Sequence, residues 1–218
     1  MELRTKHVLG YIGSLIGVIA MWFFAIAFAV AILASYANAA SIVSNVSKDG
    51  TYAFIHVNGD IEIGDGARLS KELEAATLPV RYVYLMSPGG SVEDGWEMAY
   101  AIRDAKANTV VSGKCASACT YAFMGGVKRW IDESDYEMGY HPAHISEFNG
   151  DMTLNDVYDM GQTHAIRTMT RYATFVASGE EWNTMLFIQT VYNTVSYKNM
   201  YWASIAELMN AGIVTDTY

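Results

Sequence analysis

The segment YVYLMSPGGS at residues 82–91 carries the strongest indication of the fold. Residues 82–86 form a continuous apolar run, which is typical of a strand buried on both sides. The Ser-Pro-Gly-Gly-Ser sequence at 87–91 is a turn signal, and apolar residues then recur at helical spacing, which predicts a helix over 91–105. A strand, a glycine turn and a helix in this order predict one crossover unit of a parallel sheet.

The same alternation extends outward in both directions. It predicts a mostly parallel α/β sheet from residue 52 to residue 125. The predicted strands are 52–57, 82–86, 109–111, 130–131 and 136–140, and the predicted helices are 67–76, 91–105, 117–124, 153–178, one opening at 180, and 204–210. A capping box of Thr153 and Asp156 begins the long helix. The polar residues 41–50 are expected to be a linker.

The first 40 residues are predicted to be an export or membrane segment. Arg4 and Lys6 precede an uncharged stretch over residues 8–34, which is long enough to cross a bilayer as a helix. The basic flank places the following domain outside the cytoplasm. The Ala-Asn-Ala triplet at 37–39 also resembles a signal-peptidase site. A cleaved signal peptide and a retained anchor both stay open, and residues 41–218 form the predicted domain.

Charge and composition exclude one class of partner. The formal net charge is −9 over 218 residues, and no basic cluster occurs, which argues against nucleic acid. Cys115 and Cys119 are too few for a closed zinc site, so no metal is expected. Four residues apart on a helix, they can form a disulfide in an oxidising compartment or pack as two buried thiols.

Three signals together suggest an acyl-transfer site. The glycine turn at 87–91 follows a strand, Ser117 stands at a predicted helix start, and His141 stands at a predicted strand end before Pro142. A serine needs a base within hydrogen-bond reach, and an imidazole supplies one near neutral pH. Taken alone, Ser117 is better explained as a helix N-cap. The order and spacing of the three signals favour catalysis.

This spacing resembles the proteolytic subunit of the Clp protease (ClpP). The matching residues are SPGGSV at 87–92, Gly-x-x-Ala-Ser at 113–117, Lys-Arg at 128–129 and His-Pro at 141–142, with a similar tail at 203–216. The resemblance implies a ClpP/crotonase-like spiral of ββα units. It also implies a serine peptidase that acts on peptides or unfolded protein segments without a cofactor, and that self-associates through the long helix.

The resemblance assigns the remaining site residues. Ser117 is the nucleophile, His141 the base, and the amides of Gly90 and Ala118 form the oxyanion hole. The family's aspartate falls near Ser196, where no acid is present between 182 and 206. Asn193 is the candidate third member, and a dyad without one is the alternative.

Other functions on this fold are weighed beside the peptidase. The missing acid motivates a catalytically degenerate protein that serves as a binding or assembly module. A Ser–Lys dyad, as in the signal peptide peptidase A family, would use Lys114 or Lys128, whose positions do not recommend them. Asp156 and Asp159 are weaker substitutes for the acid. A crotonase-type acyl-CoA enzyme is disfavoured because CoA is absent outside the cytoplasm.

Overall fold

The computed structural model describes residues 21–22, 39–142, 154–196 and 198–218, with side chains from residue 160 onward in the helix that begins at Leu154. The strands are β1 Ser41–Val46, β2 Ala53–Asn58, β3 Val80–Ser87, β4 Asn108–Ala116, β5 Arg129–Tyr140, β6 Tyr201–Trp202 and β7 Asp216–Thr217. The helices within those residues are α1 Asp65–Ala75, α2 Val92–Asp104, α3 Ala118–Met124, α4 Leu154–Ala173, α5 Glu181–Thr194 and α6 Ile205–Asn210.

The strands form one seven-stranded sheet in the order β1-β2-β3-β4-β5-β6, with β7 also paired to β5. Strands β2 to β5 are parallel to one another, and β7 is parallel to β5. The two outer strands β1 and β6 are antiparallel. The predicted mostly parallel α/β sheet is therefore confirmed. Because β3, β4 and β5 are parallel, their carboxyl ends lie at one edge of the sheet.

The segment that was expected to be a linker contains a strand. Residues Ser41–Val46 form β1, which pairs with β2 alone and leaves most of its side chains exposed. An edge strand with little burial has no need of strict apolar alternation, so its sequence resembles a polar loop. Only Ile42 packs against the core.

Strand β3 is buried on one face, whereas the sequence predicted burial on both. Val83 and Leu85 are fully enclosed, but Tyr82 and Tyr84 are only half-buried on the opposite face. Aromatic side chains from the neighbouring strand cover this second face in part, and His56 stacks on Tyr84 with ring centroids 4.9 Å apart. In a hydrophobicity pattern a tyrosine counts as apolar, although its hydroxyl end tolerates contact with water.

One long strand replaces two predicted short ones. Strand β5 runs through the polar residues 132–135, which are exposed or half-buried while Ile131 and Met138 are buried on either side. The register between β4 and β5 shifts at Val111 and Gly113. This irregularity lets β5 continue past its polar middle to the edge where it ends at Tyr140.

The helices cover one face of the sheet and form the core with it. Helix α2 begins after Ser91, whose hydroxyl accepts a hydrogen bond from the amide of Asp94. Trp96 of α2 stacks on Tyr121 of α3 with centroids 4.6 Å apart. Tyr172 of α4 meets Trp96 edge-on at 5.4 Å. These rings join three helices in the core below the carboxyl ends of the strands.

Helix α4 is shorter than predicted at its carboxyl end. It stops at Ala173, and Phe175 follows in a turn that still packs into the core. The proposed capping residue Thr153 lies outside the described residues, as does the side chain of Asp156.

Two arginines bind backbone carbonyls beneath the core. Arg129 is 2% exposed, and its guanidinium donates to the carbonyls of Ile213, Gly212, Gly126 and Phe175 at 2.6–3.1 Å. Arg103 also donates to the carbonyls of Gly126 and Phe175. Burial lowers the pKa of Arg129 to about 10. The two side chains tie the end of α4 and the carboxyl tail to the sheet.

The amino-terminal prediction falls almost entirely outside the described residues. Of the apolar stretch 8–34, the structure describes Met21 and Trp22, which are helical and exposed. Within the described ranges, no helix has both the length and the apolar character that crossing a bilayer requires. Residues Ala40–Tyr218 form one compact unit.

Candidate active site

Ser117 occupies a strained turn between a strand and a helix. Strand β4 ends at Ala116 and α3 begins at Ala118, so the chain reverses direction at this residue. Its φ is 52° and its ψ is −123°, a region that side-chain-bearing residues rarely adopt. Strain of this kind concentrates at functional sites, and a serine on a sharp strand-to-helix turn is the geometry that presents a nucleophile.

The Ser117 hydroxyl is not used to cap the helix. It occupies the N-cap position of α3 but accepts no hydrogen bond from the helix amides. The backbone holds the residue in place instead, because its N–H donates to Gly139 O at 2.9 Å. Its carbonyl accepts from both the amide and the hydroxyl of Thr120, at 2.9 and 2.7 Å. The structural alternative for this serine, a helix cap, therefore does not apply.

The glycine turn after β3 packs directly against the serine. Gly89 has φ 106°, and a Cβ added there would lie 2.6 Å from Ser117 Cβ. Gly90 has φ 140°, and a Cβ there would collide with the carbonyl oxygen of Ile61. The turn is fixed from the other side, since Ile61 N donates to Gly89 O at 2.8 Å and Ser91 N donates to Ile61 O at 2.7 Å. Both glycines are required by conformation and by space.

Two backbone amides beside the serine are available to a ligand. Over the described ranges, neither the N–H of Gly90 nor that of Ala118 donates a hydrogen bond within the chain. Ala118 opens α3, so its amide belongs to the unpaired first turn of a helix. Gly90 is exposed. Its bridge to Ile61 uses the carbonyl of Gly89 and the amide of Ser91, so the Gly90 N–H takes no part in it. Unpaired amides of this kind are the donors that an oxyanion hole requires.

His141 follows the last residue of β5 and lines the same small cavity as Ser117. Adjacent strands explain the proximity, because Ala116 of β4 pairs with Gly139 of β5. The His141 Nδ1 atom lies 2.7 Å from the carbonyl oxygen of Pro142. A carbonyl can only accept, so Nδ1 carries the proton and Nε2 is left as the base. No hydrogen bond joins Ser117 and His141 within the described part of the chain.

Asn193 is not placed to orient the imidazole. It is exposed on α5 and makes no hydrogen bond to His141 in the described part of the structure, whereas its neighbour Tyr192 lines the cavity. Continuing the antiparallel register of β5 and β6 by one residue sets Met200 opposite His141. The position across the sheet from the histidine thus holds a thioether, and the acceptor for Nδ1–H is the carbonyl of Pro142.

The two lysines weighed as bases are exposed, and the remaining candidates are not described by the structure. Lys114 is exposed with its Nζ 5.2 Å from the ring centre of Trp202, and Lys128 is exposed before β5. His144 and the side chains of Asp156 and Asp159 lie outside the described residues. In the ranges the structure describes, no group of three or more His, Cys, Asp or Glu side chains could hold a metal ion.

Cys115 and Cys119 form a disulfide, one of the two arrangements that the sequence left open. Their Cα atoms are 5.2 Å apart, and both residues are fully buried. The disulfide links the end of strand β4 to the first turn of α3. Ser117 therefore lies within the small loop that the disulfide closes. A covalent link across the turn restricts the backbone on both sides of the serine.

A group of tyrosines completes the cavity and was not anticipated from the sequence. Besides Ser117 and His141, the lining residues are Thr120, Tyr121, Tyr140, Tyr172, Ile188 and Tyr192. The Tyr140 hydroxyl is buried without a hydrogen-bond partner in the described structure. Burial raises the pKa of the Tyr140 and Tyr172 phenols well above the usual value, so both stay protonated at neutral pH. Long-range contacts between β5, α3, α4 and α5 gather these rings, and local patterns do not report such contacts.

Comparison with known proteins supports the fold. No protein-family model matches the chain, and no curated protein matches its sequence. Among solved structures, a mutant form of ClpP1 from Listeria monocytogenes is similar with a TM-score of 0.56 and 18% sequence identity. The match covers 76% of this chain and 90% of that one. The chain therefore has a ClpP-like fold, as the motif resemblance implied.

Proposed function

We propose that this chain is a serine peptidase of the ClpP-like type that acts outside the cytoplasm. The observation that carries the proposal is the backbone at Ser117. A serine with φ 52° stands on a strand-to-helix turn, its hydroxyl makes no cap, and the unpaired amides of Gly90 and Ala118 lie on the segments that meet it. A turn that only connected two elements would favour glycine at this φ.

The proposed reaction is two-step acyl transfer. Ser117 Oγ attacks the carbonyl carbon of a peptide bond while His141 Nε2 takes the hydroxyl proton. The Gly90 and Ala118 amides stabilise the oxyanion. His141 then returns the proton to the leaving amine as the C–N bond breaks. Water attacks the acyl-enzyme with His141 again as base, which releases the acid and restores the serine.

Pro142 takes the orienting role in this mechanism. The Nδ1–H bond to the Pro142 carbonyl, at 2.7 Å, selects the tautomer that leaves Nε2 free for the serine proton. A carbonyl has no full negative charge, so it stabilises the imidazolium less than a carboxylate would. We therefore expect slower turnover than a triad with an acid provides. The proposal also requires Ser117 and His141 to form a hydrogen bond when substrate binds.

The extracytoplasmic setting rests on the amino-terminal sequence and on the cysteines. Residues 1–40 are proposed to be a signal peptide or a membrane anchor, and a disulfide between Cys115 and Cys119 suits an oxidising compartment. Peptides or unfolded protein segments are the proposed substrates, and self-association into a homo-oligomer is part of the proposal. No cofactor is needed for the chemistry.

A binding or assembly module is the second candidate. One observation favours it: His141 has neither an acid partner nor a hydrogen bond to Ser117 in the described structure. A catalytically degenerate protein on this fold would keep the turn and lose the proton transfer.

A serine-reactive fluorophosphonate separates the two candidates. The full chain, purified in detergent micelles, is treated with the probe beside Ser117→Ala, with Ser70→Ala as a matched serine on α1 outside the cavity. Labelling of the wild type and of Ser70→Ala, with none in Ser117→Ala, supports the peptidase. A folded wild type that never labels at Ser117 refutes it and leaves the binding module.

A further inference from the structure

The cavity beside Ser117 contains two tyrosine hydroxyls whose hydrogen-bonding capacity is unused. Tyr192 and Tyr140 both line the cavity and have no partner for their hydroxyls among the described residues, and Tyr140 is the more deeply buried at 3% exposed. Buried polar groups in folded proteins are nearly always paired with protein or water, so unpaired ones at a cavity wall indicate a ligand or a water site. Nothing in the proposed mechanism uses these hydroxyls.

The hydrogen bonds around Thr120 determine which other hydrogen-bond donors and acceptors the cavity offers to a ligand. The single hydroxyl proton of Thr120 is committed to the carbonyl of Ser117 at 2.7 Å. The contact of 2.6 Å between Thr120 Oγ1 and the Tyr172 hydroxyl therefore requires Tyr172 to be the donor. The Tyr172 oxygen keeps acceptor capacity, whereas the Tyr140 and Tyr192 hydroxyls can both donate and accept.

This inventory selects one kind of ligand group. A hydroxyl donates one hydrogen bond and accepts others, so it can pair with Tyr140 and Tyr172 together. A carboxylate would bring a full negative charge, and His141 is the one basic side chain among the described lining residues. Compensating that charge would keep the proton on the base that the proposed mechanism requires. An ammonium would find no anion there. Aliphatic groups would leave the Tyr140 hydroxyl unpaired.

The size of the cavity limits the group further. The space open to the centre of a water molecule is about 10 Å³, which is close to the minimum that one water needs. A single oxygen atom on a short stem therefore fits, and a branched or aromatic side chain does not. Because Ser117 and His141 line the same space, its occupant adjoins the attacked carbonyl. The residue that supplies this carbonyl is called here the acyl-side residue.

We propose that the Tyr140 cavity is a specificity subsite for a small hydroxyl-bearing side chain, above all serine, at the acyl-side residue of the substrate. The subsite rests on the proposed peptidase function and narrows its substrate class. The acyl-side serine hydroxyl takes the place of one water, accepts from Tyr140 O–H and donates to a phenol oxygen. Alanine fits the space without the bonds, and leucine exceeds it.

Short peptide aminocoumarin substrates that differ only in the acyl-side residue test the subsite. With the full chain in detergent micelles, kcat/KM for serine is expected to exceed that for alanine by about tenfold or more, and that for leucine by a larger factor. In Tyr140→Phe the serine-to-alanine ratio should fall toward one. Tyr100→Phe is the matched control, because Tyr100 is exposed on α2, and its ratio should stay at the wild-type value.

Two readouts separate the outcomes. Melting of Tyr140→Phe shows that the variant folds, and we expect no loss of thermal stability because the deleted hydroxyl has no partner in the described chain. Fluorophosphonate labelling of the wild type reports on Ser117 alone. Labelling without cleavage after serine, a serine-to-alanine ratio near one, or an unchanged ratio in Tyr140→Phe overturns the subsite only. Absence of labelling overturns the peptidase, and the subsite with it.

Discussion

Gly89 lies against the side chain of Ser117: a Cβ on Gly89 would lie 2.6 Å from the Cβ of Ser117. The same atom would lie 2.9 Å from the amide nitrogen of Ala118. The turn after β3 therefore closes over the turn after β4 with no space for a methyl group. The nucleophile and the proposed oxyanion donors depend on one glycine.

Gly89→Ala is expected to reduce fluorophosphonate labelling at least about a hundredfold, because the displaced turn carries an oxyanion donor. Gly64→Ala is the matched control. Gly64 also has a positive φ, 96°, but an added Cβ there meets nothing within 4 Å. Both variants carry backbone strain, and only the first has the collision. Equal labelling rates in the two would show that the Gly89 contact has no catalytic role.

His141→Ala should lower the labelling rate by about 10² to 10⁴, the range for loss of a general base. Asn193→Ala should stay within about twofold of the wild type, since Asn193 is exposed and unbonded to His141 in the described structure. Second-order labelling rates measure both. A large loss in Asn193→Ala would restore the asparagine as third member and contradict the role given to the Pro142 carbonyl.

Replacement of Arg129 should destabilise the fold. Arg129→Met leaves the carbonyls of Gly212 and Ile213 without their buried donor, at a cost of about 1.5–3 kcal/mol each. For a domain of this size, the melting temperature should fall by about 6 °C or more. Arg81→Met is the control, because Arg81 is exposed on β3. Similar melting temperatures for the two variants would contradict the carbonyl network.

The stability of the chain should decrease in mild acid through His164. Burial, followed by the charge of Arg167, lowers the pKa of His164 below 6.5, while Glu93 acts in the opposite direction. The unfolded chain then takes up the proton first, so stability is full above the unfolded pKa and falls as the pH drops from about 6.5 to the folded pKa.

Melting at pH 7.5 and pH 5 measures the effect, with His164→Gln showing a smaller decrease than the wild type. His56→Gln is the control, since His56 is exposed on β2. A wild-type decrease that His164→Gln reproduces in full would assign the acid sensitivity to other groups.

The sequence predicts the central sheet and helices well because burial on one face leaves a periodic pattern. The pattern fails where burial is incomplete, as in the edge strand β1, or where tyrosines count as apolar, as on β3. Ser117 and His141 were named from motif spacing, and the structure places both on one cavity. Tyr140, Tyr172 and the Pro142 carbonyl could not be named, because their contacts depend on strand register and helix packing rather than on local spacing.

The left-handed backbone at Ser117 has a consequence for engineering. A side chain at φ 52° costs about 1–3 kcal/mol, and glycine would remove most of that cost. A search for thermostable variants of this chain would therefore be drawn to Ser117→Gly, which would gain stability and lose the proposed nucleophile. Stability selection and activity selection would disagree most sharply at this one residue, so libraries screened on melting temperature alone should hold position 117 fixed.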